Sequence, residues 1–222
     1  SRELYELCIV LADNANELAG EVERGADNKI PDIKFTRTAE QVAKDFSAVT
    51  GRKETRSKYI LASKPFSYTQ ITGVFAYLTG ECNINQNSTS AALPFTMAHE
   101  MSHRYGIAPE DEANFFAFYV THQSDDPLVK YSGYMMALLY CQNKLYSNSK
   151  TLFRDLHGTY SDLLADDFDQ YIKHWAQYDG EVAEKATAVN NTYLQAQGQQ
   201  DGVKSYGRMV DLMLAWYETV KN

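Results

Sequence analysis

From Pro94 onward the sequence reads as a series of helix-length segments, and only one earlier stretch has the texture of a sheet. Apolar residues recurring at three and four mark helices near 94–105, 109–123, 127–146, 149–157, 160–176, 180–197 and 204–220. Pro94, Pro109 and Pro127 each fall where a first helical turn begins, a position that tolerates a missing N–H. Upstream, Leu4, Leu7, Leu11, Ala15 and Leu18 predict a helix over 3–24, with Glu3 and Glu6 in its first turn. Gly25, Asn28 and Pro31 predict a loop over 25–35. Thr38 then caps a second helix, with Gln41 as capping-box partner, and that helix ends near Gly51.

The run Tyr59–Asn85 is rich in Tyr, Phe, Thr, Ile and Val and is broken by Pro65, Gly73 and Gly80. It predicts two or three short strands, the best being Ile71–Leu78 and Glu81–Asn85. The expectation is one α+β domain over 1–222, mostly helical. A helical part (1–55) precedes a small sheet (59–90), and a helical part (94–222) follows. Gly198 to Gly202 reads as a polar connector.

A chain of 222 residues is long enough to bury a real core, and 44% hydrophobic with 23% charged residues is ordinary globular composition. The net charge of −8 comes without a Lys/Arg cluster, so no nucleic-acid partner is expected. Cys8, Cys82 and Cys141 are widely spaced and form no Cys-x-x-Cys pair, which predicts free buried thiols rather than a thiolate metal site. No apolar run is long enough to span a bilayer. Ser1 stands directly before a helical pattern with no initiator Met, so a natural N-terminus further upstream is expected.

The chemistry concentrates in His99-Glu-Met-Ser-His103-Arg-Tyr-Gly-Ile-Ala-Pro-Glu-Asp-Glu-Ala-Asn114. Histidines four apart on a helix project from one face, so both imidazoles can meet a single tetrahedral Zn2+. Glu100 lies about 100° further round the helix, which removes it as an in-line ligand and leaves it free to act on metal-bound water. Zinc lowers the pKa of bound water to about 7, and a carboxylate in reach takes the proton as general base. A catalytic zinc usually keeps three protein ligands and one open position. Gly106 can turn the chain sharply, and the helix starting at Pro109 brings Glu110 or Glu112 back as third ligand. Spacing favours Glu110, because Asn114 lies four residues on and can hydrogen-bond a ligand histidine, whereas Glu112 has Phe116 there. His122, His157 and His174 lack metal spacing and read as surface or satisfied core residues. Tyr131, Tyr134 and Tyr206 are candidate oxyanion donors. The strand near Glu81–Asn85 offers an edge on which an extended peptide substrate can pair.

The same segment resembles the HExxH metallopeptidases of domain-of-unknown-function family 3810, found in bacteria. Glu3 to Leu7, Thr72-Gly-Val74 with Thr79-Gly-Glu81, and Asp201 to Gly207 fit that resemblance, which therefore covers nearly the whole chain. It implies a zincin-like domain tethered to the bacterial cell membrane by segments upstream, on the extracytoplasmic side. The Glu-x-x-Ala-Asn run is similar to the third-ligand helix of glutamate-zincins. Carried to this chain, the likeness makes Glu110 the ligand and Asn114 its companion. The function expected is zinc-dependent peptide hydrolysis. The alternatives are a non-catalytic binding or scaffold domain on the same fold, and a zinc amidase acting on a cell-wall amide. A base beside the metal favours catalysis over a scaffold.

Overall fold

Leu4, Leu7, Cys8, Leu11, Ala15 and Leu18 share the buried face of α1 (Arg2–Glu21), as their spacing predicts. That face packs on α6 (Pro127–Asn148), which is lined by Met135, Leu138, Cys141 and Leu145. The computed structural model describes residues 2–196 and 206–221, and most of their buried apolar side chains merge into one core. The remaining helices are α2 (Phe35–Thr50), α3 (Ser63–Phe66), α4 (Leu93–Tyr105), α5 (Glu110–Thr121), α7 (Lys150–His157), α8 (Asp162–Ala176), α9 (Glu181–Ala196) and α10 (Tyr206–Val220). Among the described residues the strands are β1 (Lys58–Tyr59), β2 (Gly73–Ala76) and β3 (Glu81–Ile84). The architecture is α+β and mostly helical, with the small sheet just ahead of α4. The connector at 198–202 lies outside the described residues.

Two boundaries differ from the sequence reading. α2 starts a turn early, at Phe35, because Phe35 packs edge-on against Tyr59 at 5.4 Å and holds the extra turn. Thr38 therefore sits inside the helix, its N–H on the Lys34 carbonyl, and Gln41 bonds Asp45 instead of closing a capping box. The apolar run before β2 is helical rather than extended at Ser63–Phe66, where Ser63 Oγ donates to the Ile60 carbonyl. β2 stops at Ala76, whose carbonyl accepts from the Thr79 and Gly80 amides in the hairpin turn.

The strand order is β1-β3-β2, with β3 parallel to β1 and antiparallel to β2. β3 is thus central, and its segment Glu81–Asn85 cannot offer the free edge expected of it. The free edge near α4 belongs to β2. The Asn85 amide donates to the Thr72 carbonyl at 2.9 Å, which fixes the alternation of the ladder. Val74 and Ala76 accordingly point their main-chain groups at β3, and Gly73 and Phe75 point theirs outward.

α4 is the central helix and is buried on most sides, from Leu93 through Ser102. Ala92 cannot cap it with a side chain; Ser132 on α6 accepts from the Phe95 amide at 3.0 Å instead. No helix among the described residues is long and apolar enough to cross a membrane.

Candidate metal centre

α4 ends in a Schellman turn. Gly106 adopts φ 114°, the Ile107 amide donates to the Ser102 carbonyl at 3.1 Å, and the Gly106 amide donates to the His103 carbonyl at 3.0 Å. The left-handed glycine reverses the chain within a few residues. Extended Pro109 then opens α5 with Glu110 as its first helical residue. The short stretch between His103 and Glu110 is therefore long enough to bring the carboxylate back over the histidines.

His99 Nε2 and His103 Nε2 lie 3.1 Å apart, with the rings edge to face. Glu110 Oε2 is 3.2 Å from His99 Nε2, and Glu110 Oε1 is 3.5 Å from His103 Nε2. Ligand atoms bound at about 2.0–2.1 Å around a tetrahedral zinc stand about 3.3–3.4 Å apart, so the triangle has the right size. His99, His103 and Glu110 form the one metal-capable group among the described residues, and Glu100 and Glu112 are not in it. Glu112 is exposed. The Glu110 side chain is 33% exposed, so the group is open on one side.

The His103 tautomer is compatible with a cation here. His103 Nδ1 lies 2.8 Å from the Ile107 carbonyl, which can only accept, so Nδ1 carries the proton. Neutral His103 then aims a lone pair at His99 Nε2 and at the Glu110 carboxylate. Electron-rich atoms converge this closely only around a metal ion or shared protons. Without metal, burial alone would lower the pKa of His103, but the Glu110 carboxylate outweighs it and lifts His103 to about 9. Burial likewise favours neutral Glu110, yet the two histidines hold it well below the usual carboxylate range. Metal binding near neutral pH must therefore displace a proton from His103. Calorimetry of zinc binding in buffers of different ionisation enthalpy should show about one proton released from this ring, with affinity climbing about tenfold per pH unit up to about pH 9. Binding that releases no proton near neutral pH would contradict this geometry.

The sequence matches, over residues 1–214, the family described as Protein of unknown function (DUF3810). The chain belongs to the DUF3810 family. No curated protein and no solved structure matches it.

In this DUF3810 chain Glu100 stands beside the triangle but faces the sheet. It is 4% exposed, and burial raises its pKa above the ordinary carboxylate value against the pull of His99 and His103. The β2 backbone at Gly73 lies against its side chain, and Cys82 Sγ donates to its main-chain carbonyl at 3.2 Å. Cys82 is an inert partner there: burial pushes its thiol up to about 12, and all three cysteines are free and buried as expected. The helices that carry the donors are pinned from outside. Arg104 pairs with Glu54 at 2.7 Å and donates to the Thr55 carbonyl at 2.6 Å, fixing the end of α4. Asp111, buried beside Glu110, pairs with Arg208 of α10 at 3.1 Å.

Several candidates fall elsewhere. Asn114 is buried one turn past Glu110 but hydrogen-bonds neither histidine; the Ile107 carbonyl orients His103, and His99 Nδ1 has no partner. Tyr131 is fully buried and donates to Asp167 at 2.5 Å, and Asp167 also receives a bidentate bond from Arg24. Its hydroxyl is committed to that lock and is unavailable as an oxyanion donor. Tyr134 packs edge-on against Phe118 at 5.6 Å and beside His122, at the far end of α5 from Glu110. The Tyr206 side chain lies outside the described residues. His122, His157 and His174 are hydrogen-bonded to Phe118, Gln142 and Asn87 respectively, and none joins the metal group. The residues missed by sequence reasoning are Gly73 and Phe75, whose contribution is backbone. A glycine inside a strand is the signal that marks such a close approach.

Proposed function

We propose that this chain is a zinc metallopeptidase of zincin type, with His99, His103 and Glu110 as ligands and Glu100 as general base. The observation that carries the reading is a buried carboxylate set beside, and not within, a tetrahedral donor triangle that is open on one side. Zinc is favoured over harder cations by two imidazoles and one carboxylate, and when bound it supplies an acidified water and a polarised scissile carbonyl. The chain's own residues do the rest. His103 keeps its Nδ1 proton on Ile107 and leaves Nε2 free to ligate. Glu110 brings the negative charge that offsets the cation. Glu100, excluded from bulk solvent, accepts a proton on a carboxylate oxygen and returns it to the leaving amine. The outward main-chain groups at Gly73 and Phe75 give an extended peptide an edge to pair with, beside Glu100.

The zinc-loaded chain should cleave an unfolded polypeptide such as reduced casein. Activity should vanish with a zinc chelator and return with added zinc. Cleavage that survives full removal of metal would sink the proposal.

A further inference from the structure

Among the described residues, Gly73 is a glycine whose conformation any residue can adopt; it is absent from the positive-φ positions. Its place in a strand would ordinarily suit a larger residue, since glycine weakens strands. Space explains it instead. A Cβ built on Gly73 would stand 2.6 Å from both Cγ and Oε1 of Glu100 and 2.8 Å from its Cδ. Cβ contacts under 3.0 Å essentially never occur. Swinging the tip of Glu100 does not relieve the overlap, because Cγ is one bond from the Glu100 Cβ. Only a new χ1 rotamer or a shift of β2 would, and Glu100 is buried with α4 fixed on most sides.

Gly73 lets the β2 backbone lie against the Glu100 stem. We infer that β2 sets the working orientation of Glu100, with Gly73 as the positioning residue whose missing side chain provides the space. The inference deepens the peptidase reading and rests on it for its kinetic consequence. The packing relation stands without it.

The test is a double-mutant cycle between Gly73→Ala and Glu100→Ala on the metal-free full chain, read by thermal melting. Gly73→Ala should lower Tm by about 5 °C or more when Glu100 is present, and by less than about 2 °C in the Glu100→Ala background. A Gly73→Ala variant that folds only when Glu100 is also truncated shows the same coupling. Equal Tm losses in both backgrounds would overturn the inference. The kinetic arm uses zinc-loaded Gly73→Ala on casein. It should keep about one zinc per chain and a KM within about threefold of wild type, while kcat falls at least about 100-fold. A variant with wild-type kcat overturns the positioning role and leaves the peptidase assignment intact. A wild-type chain that cleaves nothing removes the peptidase assignment alone, and the melting cycle then decides whether Gly73 places Glu100.

Discussion

Glu110→Gln should bind zinc more than about 100-fold more weakly than the wild-type chain, while Glu112→Gln stays within about twofold. The contrast follows from position. Glu110 puts both oxygens within 3.5 Å of the two histidine Nε2 atoms, and Glu112 is exposed one helical step past the turn. Outer-shell partners of a metal typically contribute 10- to 100-fold in affinity, so loss of a charged ligand should exceed that range. Misfolding is tested separately, because the substitution also removes the carboxylate that pairs with His99 and His103 in the metal-free chain: both variants must retain a cooperative melt. The measurement is competition against a chelating zinc indicator, with both variants side by side. Small, equal losses in the two would remove Glu110 from the ligand set.

Glu100→Gln should leave zinc binding intact and lower kcat by about 100- to 10,000-fold. Glutamine has the shape of glutamate and keeps its packing against Gly73. It cannot hold the transferred proton. Zinc should stay because Glu100 is outside the donor triangle. Melting should not suffer either, since the change removes a carboxylate whose burial disfavours its charge. Casein hydrolysis and zinc content on one preparation decide the matter. Undiminished hydrolysis would rule out Glu100 as base, and lost zinc would show it to be a ligand.

Local geometry was readable in the sequence, and non-local geometry was not. Two histidines four apart, a glycine three residues past the second and a carboxylate opening the next helix are all short-range relations. The structure brings His99, His103 and Glu110 together on that basis. The helices whose apolar residues repeat cleanly, such as α1, also match. The sheet order was hidden because pairing of β1 with β3 across the intervening α3 and β2 depends on contacts that no local pattern encodes. Tyr131 looked available only because its partner Asp167, and the Arg24 that pairs with Asp167, are distant in sequence. Asn114 had the right spacing from Glu110 to reach a ligand histidine, but it bonds neither, and at His103 the Schellman turn delivers the Ile107 carbonyl to Nδ1.

Every donor of the metal group comes from a single uninterrupted stretch, residues 99–110. Gathering them closes only a very short loop, so the entropy of bringing their ends together is small. The base is different. Glu100 reaches its orientation only once β2 has arrived from a separate part of the chain and docked on α4. On the peptidase reading, the ligand set is specified within one short segment of chain, whereas the aim of the base depends on how β2 docks against α4. A substitution confined to β2 would then disturb proton transfer while leaving the ligand set untouched.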